Sequence, residues 1–184
     1  PSIRQYLREK AITAEFLMTE ARGHATTLVE HAHLTSFDAL VAAGGDGTLF
    51  EVLNGLLRNP GTHKPALGLI PNGTGNAFMK ELGLRTSDWR KAIDIIARNQ
   101  TRAIDVGRLQ AQGQSWHFLN IVGMGFIGDI AATAARPKWL GNSAYTLAVL
   151  LRLPWMKAQR LSLDIDGQSV EREAVFVEVA NSSY

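Results

Sequence analysis

Residues 39–57 constrain the fold more than any other stretch. The apolar run Ala39-Leu40-Val41-Ala42-Ala43 leads into Gly44-Gly45-Asp46-Gly47-Thr48, and a helix-like pattern follows from Leu49 to Leu57. That order is strand, glycine turn, helix. Glycines let the backbone take positive φ and approach a ligand with no Cβ in the way. Successive N–H groups and the positive end of the next helix make a concave site for phosphate. Asp46 stands inside that site, where a carboxylate repels phosphate unless Mg²⁺ or an acceptor hydroxyl lies between them. A single such motif is explained as well by a plain flexible turn. A second one tips the balance. The strand expected over Ala66–Ile70 runs into Pro71-Asn72-Gly73-Thr74-Gly75-Asn76, and a helix over Ala77–Leu82 ends at Gly83 in the C′ position.

The rest of the chain supplies the frame. Ser2–Lys10 reads as a short helix, and Ile12–Thr19 alternates as a half-buried strand should. Gly23-His24-Ala25 turns the chain into a helix over about Thr26–His33. Thr48 and Glu51 have capping-box spacing for the helix they open. Leu49, Phe50, Val52, Leu53, Leu56 and Leu57 make its apolar stripe, with Glu51 and Asn54 on the other face. Trp89–Arg98 is a further amphipathic helix. Alternating strands and helices predict βαβ units and a parallel sheet with helices on both faces. Ligands bind such sheets at the carboxyl ends of the strands, where both glycine loops fall.

From about Arg102 the pattern changes. Ala103–Leu109 and Trp116–Val122 read as a hairpin around Gln112-Gly113-Gln114. Ser143–Leu153 reads as a helix, and Leu161–Ile165 with Val170–Ala180 as a hairpin around Asp166-Gly167. Two domains are expected: 1–101, an α/β nucleotide-binding domain, and 102–184, the start of a β-rich second domain. The chain opens at Pro1 without methionine and stops just after a strand-like run, so both ends read as cut.

Composition excludes several functions. With no cysteine among 184 residues, disulfides and thiolate metal sites are impossible, which fits a reducing, cytoplasmic location. A net charge of +2 and no basic–aromatic stripe exclude a nucleic-acid binder. His31 and His33 point to different helix faces, and His24, His63 and His117 have no metal-ligand spacing. The apolar runs are too short to span a membrane, and there is no signal-peptide pattern.

The paired loops, with Glu51, Asn54 and Gly55 after the first, resemble the catalytic domain of the diacylglycerol kinase and sphingosine kinase family, within the NAD kinase-like superfamily. Thr19-Glu20, Gly23-His24-Ala25, Phe118-Leu119-Asn120, Gly123-Met124-Gly125-Phe126, Leu140-Gly141 and Tyr145 fit the same pattern. The resemblance implies an α/β domain followed by a β-sandwich, with ATP bound between and its γ-phosphate passed to a lipid hydroxyl. It places Gly44, Gly45, Gly47 and Thr48 under the nucleotide phosphates. Gly73, Thr74, Gly75 and Asn76 become the second nucleotide-contacting loop. Asp46 becomes the catalytic acid, bound to Mg²⁺ through water or accepting the hydroxyl proton. Asp129 falls where sphingoid-base kinases place a head-group acid.

Two family segments have no counterpart here: an Asn-Pro ahead of the first helix, and a later Asp-Gly-Glu. Asp166-Gly167 is followed by Gln168 and reads as a turn. Glu51 is either a helix cap or a site acid. Asn54 and Asn76 are more simply loop ties, and Lys138 a solvated lysine rather than a phosphate ligand. The segment 137–157 carries Trp139, Leu140, Leu150, Leu151, Trp155 and Met156 with Lys138, Arg152 and Lys157. That mixture suits peripheral contact with a membrane, or equally the core of the second domain or a lipid pocket. The leading expectation is thus an ATP- and Mg²⁺-dependent lipid kinase acting on a diacylglycerol or sphingoid lipid. An NAD kinase-like enzyme and a nucleotide- or lipid-binding module without turnover are the alternatives.

Overall fold

The computed structural model describes residues 2–73, 76–126, 153 and 156–181. By contacts the chain divides into two compact units, 1–120 with 181–184, and 121–180. In the first unit the order is α1 (Ile3–Glu9), α2 (His24–Glu30), β1 (Ala39–Gly44), α3 (Asp46–Arg58), β2 (Ala66–Pro71), α4 (Ala77–Glu81), α5 (Trp89–Ala97), β3 (Gly107–Ala111) and β4 (Gln114–Phe118).

β1 and β2 pair in parallel, from Ala39 opposite Ala66 to Gly44 opposite Pro71. The pleat sends alternate residues to opposite faces. On one face Leu40, Ala42, Leu67 and Leu69 pack with α2 and α3 through Ala25, Val29, Leu49, Val52, Leu53 and Leu56. On the other, Val41 and Ile70 pack with Leu7, Ile93 and Ile96 of α1 and α5. Helix, sheet and helix form the α/β layering that the alternation predicts. The parallel connection also brings both glycine loops to one end of the sheet.

The outer helices are joined by specific contacts. Ser2 Oγ caps α1 by accepting the Gln5 N–H at 3.3 Å. Tyr6 meets Trp89 edge-on at 5.6 Å, and its hydroxyl donates to Asp94 at 3.1 Å. Lys10 pairs with the same carboxylate at 2.7 Å. The lysine's hydrogen bond is the main cause that holds Asp94 below its ordinary pKa. Gly83 stops α4 as predicted: its φ is +67°, its N–H bonds to Lys80 O, and Leu84 N–H bonds to Met79 O.

Some expectations differ from the structure. Residues 12–19 form no strand, because alternation needs a neighbouring backbone to bond and none pairs with them among the described residues. Phe16, Leu17 and Met18 are 40%, 61% and 76% exposed. Within α3 the buried stripe is Leu49, Val52, Leu53 and Leu56, while Phe50 and Leu57 sit one step round the helix and are exposed. The hairpin β3–β4, placed by sequence in a domain starting at 102, clusters with the first unit. Polar side chains of α3 bond its backbone, as described below. β4 ends at Phe118, so the single run expected over Trp116–Val122 breaks at Leu119-Asn120.

In the second unit β5 (Ile121–Gly125) pairs antiparallel with β8 (Phe176–Ala180), and β6 (Gln159–Ile165) with β7 (Gln168–Ala174). Asp166 and Gly167 both take positive φ, the two-residue turn expected between β6 and β7. Val175 separates β7 from β8, where one strand to Ala180 was expected. The helix expected over Ser143–Leu153 lies, apart from Leu153, outside the described residues.

Candidate active site

The glycine loop ends β1 and opens α3 without a gap. Gly44 is the last residue of β1, Gly45 is the N-cap of α3, and Asp46 already lies in the helix's first turn. The helix therefore starts three residues before Leu49, where the sequence pattern placed it. The first helical hydrogen bond runs from Leu49 N–H to Gly45 O. The N–H groups of Asp46, Gly47 and Thr48 precede it, and Gly45 has no side chain to cap them. Uncapped N–H groups at the positive end of a thirteen-residue helix attract anions. Thr48 and Glu51 do not form a capping box.

The glycines are needed for close packing rather than for positive φ. None of Gly44, Gly45, Gly47 and Gly73 has a positive φ, unlike Gly23 or Gly83. A Cβ on Gly73 would lie 2.5 Å from Gly45 Cα, and one on Gly44 would lie 2.4 Å from Thr48 Oγ1. The two loops thus touch backbone to backbone. Gly47 faces open space and is exposed.

Asp46 joins the loops chemically. Its Oδ2 accepts the Ala77 N–H at 2.8 Å, and its Oδ1 accepts the Phe78 N–H at 3.1 Å. Those are the first two residues of α4, whose own N-cap, Asn76, makes no side-chain cap and sits at φ +52°. A third donor, Asn120 Nδ2, reaches Oδ1 at 3.3 Å. Instead of standing free over a phosphate, the half-buried Asp46 is tied to α4 and to Asn120, two residues past the end of β4. Asn120 was visible in sequence only as part of Phe118-Leu119-Asn120; no local spacing links it to Asp46.

Asn76 is buried. Its Nδ2 donates to Gly73 O at 2.6 Å and to Thr86 Oγ1 at 2.9 Å, so it braces the second loop as a tie. Its Oδ1 lies 3.4 Å from where a Cβ on Gly45 would stand, and that oxygen and Asn120 Oδ1 are buried without partners among the described residues. Thr74 and Gly75 of this loop, and Asp129, Lys138 and most of segment 137–157, lie outside the described residues.

Three polar residues of α3 serve elsewhere. Glu51 caps a different helix, accepting from Gly23 N–H at 2.8 Å and Ala25 N–H at 3.2 Å at the start of α2. Asn54, 2% exposed, bonds the backbone of His117 in β4. Arg58 Nη2 donates to Ser115 O at 3.1 Å. Helix and strand segment run antiparallel, with Arg58, Asn54 and Asp46 facing Ser115, His117 and Asn120 in turn. The α2–α3 contact is equally tight, since a Cβ on Gly55 would meet Thr26 O at 2.6 Å.

The α/β unit thus presents two touching glycine loops, uncapped helix N–H groups and a clamped carboxylate at the carboxyl ends of parallel strands, an arrangement that can attract an anionic group. The chain belongs to the diacylglycerol kinase catalytic-domain family, whose model matches residues 1–109. It is 36% identical over 157 residues to a diacylglycerol kinase of Bacillus subtilis (strain 168), covering 84% of this chain and 50% of that one. A Staphylococcus saprophyticus diacylglycerol kinase is 33% identical over 177 residues, covering 95% and 56%. A solved diacylglycerol kinase structure from Bacillus anthracis str. Sterne matches 100% of this chain and 61% of its own at TM-score 0.72 and 30% identity. The chain spans about half the length of the curated relatives it matches.

Proposed function

We propose that the intact protein is an ATP-dependent lipid kinase that moves the γ-phosphate onto a hydroxyl of a diacylglycerol or sphingoid-type lipid. The observation that carries this reading is the Asp46 carboxylate at the junction of the two glycine loops, beside the N–H groups that open α3 and that no side chain caps among the described residues. Gly44, Gly45, Gly47 and Thr48 would cradle the nucleotide phosphates, with Gly73, Thr74, Gly75 and Asn76 as the second wall. Asp129 would meet the lipid head group.

Phosphoryl transfer asks a protein mainly for positioning and charge neutralisation. The acceptor oxygen forms a bond to the γ-phosphorus while the bond from that phosphorus to the ADP oxygen breaks. The hydroxyl proton passes to Asp46, a base contribution worth roughly 10²–10⁴-fold. Oδ1 already takes two donors and Oδ2 one among the described residues, which leaves an acceptor position on Oδ2. No group of three or more His, Asp or Glu side chains that could hold a metal occurs among the described residues. As the alternative use of that one open position, Asp46 would hold a nucleotide-bound Mg²⁺ ion through water. Such an ion supplies positive charge to the phosphate oxygens.

No helix among the described residues is long and apolar enough to cross a membrane. We propose peripheral membrane contact through segment 137–157, whose described residues Leu153, Met156 and Lys157 are exposed.

The test uses the complete gene product with Mg-ATP and a mixed panel of diacylglycerol, monoacylglycerol, ceramide, sphingosine and NAD, read by mass. A phosphorylated lipid supports the reading and names the acceptor. Phosphorylated NAD keeps the phosphate site and overturns the acceptor. Bound ATP with no product overturns transfer altogether.

A further inference from the structure

We infer that Asn120 is a positioning residue that makes Oδ2 the working oxygen of Asp46. The inference rests on the lipid-kinase reading for its kinetic consequences and on geometry alone for its structural one. Asp46 Oδ1 receives the Phe78 N–H and the Asn120 amide, which fills both its lone-pair sites, while Oδ2 receives only the Ala77 N–H among the described residues. The backbone donors of α4 hold the carboxylate in place. The Asn120 amide sets which of the two oxygens is occupied.

The asparagine is itself anchored through its main chain. Asn181 N–H donates to Asn120 O at 2.7 Å, and Asn181 Nδ2 donates to Leu119 O at 3.3 Å and to Asp105 O at 2.8 Å. These bonds do not involve the Asn120 side chain, so a substitution there leaves the anchor intact. Asn120 Oδ1 is buried and without a partner among the described residues. A buried unpartnered amide oxygen costs stability, and such costs concentrate where a side chain is held for a task other than packing.

The side-chain bond from Asn120 spans 74 positions of sequence, whereas local rules would make Asp46 a helix-end acid and nothing more. Without the Asn120 donor, Oδ1 regains an acceptor site. The acceptor hydroxyl then has two oxygens to choose between instead of one. A mis-set base lowers turnover without loosening the nucleotide.

The experiment compares Asn120→Leu and Asn120→Asp with wild type in the full-length protein, by kinetics and by crystal structure. Asn120→Leu is expected to lower kcat roughly 10- to 100-fold while KM for ATP stays within a few-fold. Asn120→Asp is expected to be worse, because its charge faces Asp46 across the same short gap. A residue that merely fills space would rank the same-sized Asn120→Asp above Asn120→Leu, so that ranking, or unchanged kcat, overturns the inference. If wild type transfers no phosphate to any acceptor, the kinase reading fails and the crystal structures decide. A turned Asp46 carboxylate in Asn120→Leu sustains the positioning role, and an unmoved one overturns it.

Discussion

Asn54 and His117 exchange two hydrogen bonds across 63 positions of sequence: Asn54 Nδ2 donates to His117 O at 2.9 Å, and His117 N–H donates to Asn54 Oδ1 at 2.8 Å. A side chain on α3 thus takes the place of a neighbouring strand for one residue of β4. Asn54 Nδ2 also donates to Phe50 O at 2.8 Å, so every polar atom of a nearly inaccessible amide is used.

Replacing Asn54 by Leu keeps the volume and orphans the His117 N–H and C=O. Each unsatisfied buried group costs about 1–3 kcal/mol. A loss of about 2–4 kcal/mol is expected, read as a lowered urea midpoint at constant slope. A midpoint equal to wild type would mean that β4 does not depend on this contact.

The same strand should respond to pH. Burial, then the positive charges of Arg108 and Arg58, disfavour the imidazolium of His117 and set its pKa below the ordinary 6.5. The unfolded chain therefore binds the proton more readily than the folded one. The stability that the neutral ring supports is complete above the unfolded value of about 6.5 and is lost as pH falls through the folded value. Between about pH 7.5 and pH 5.5, wild type should lose more stability than His117→Leu, measured by urea denaturation at each pH. Parallel losses in both proteins would assign the pH dependence elsewhere.

Two glycines of the candidate site separate packing from exposure. A Cβ on Gly73 meets Gly45 backbone at 2.5 Å, whereas one on Gly47 meets nothing within 4 Å. Gly73→Ala must push the loops apart, and overpacking of this kind costs about 1–3 kcal/mol. It should also weaken binding of an ATP analogue at least tenfold, by titration calorimetry. Gly47→Ala should leave the melting temperature within about 2 °C of wild type. Equal affinities for the analogue in wild type and Gly73→Ala would show that contact between the loops does not shape the site.

Asp46→Asn tests the acid in both its roles. An asparagine has one acceptor oxygen where the carboxylate has two, and its NH₂ would face N–H donors from α4 or Asn120. Phosphate transfer should disappear while nucleotide affinity stays within a few-fold. Amide exchange at Ala77 and Phe78 should accelerate as the start of α4 loosens. Normal turnover would remove Asp46 from the chemistry; unchanged exchange would remove it from the support of α4.

Short-range rules made much of this unit legible. The strand–glycine–helix order around Asp46, the stop at Gly83 and the turn at Asp166-Gly167 are each decided within a few residues by backbone sterics and local hydrogen bonds. Patterns that looked equally local misled where a distant partner was needed. Ile12–Thr19 alternates but has no ladder to join, and the Thr48–Glu51 spacing suits a capping box while Glu51 caps α2 instead.

By itself, then, the sequence determined which residues cluster as glycine loops, that a parallel sheet carries them, and that Asp46 is the acid between strand and helix. Only the tertiary structure decided what the polar side chains of α3 hold: Glu51 the start of α2, Asn54 the backbone of His117, and Asp46 both α4 and Asn120. Periodicity encodes which face of an element is buried, because that depends on spacing along one chain segment. A hydrogen bond between residues 63 or 74 positions apart depends on how packed helices and strands place two side chains within about 3 Å, which no local spacing records.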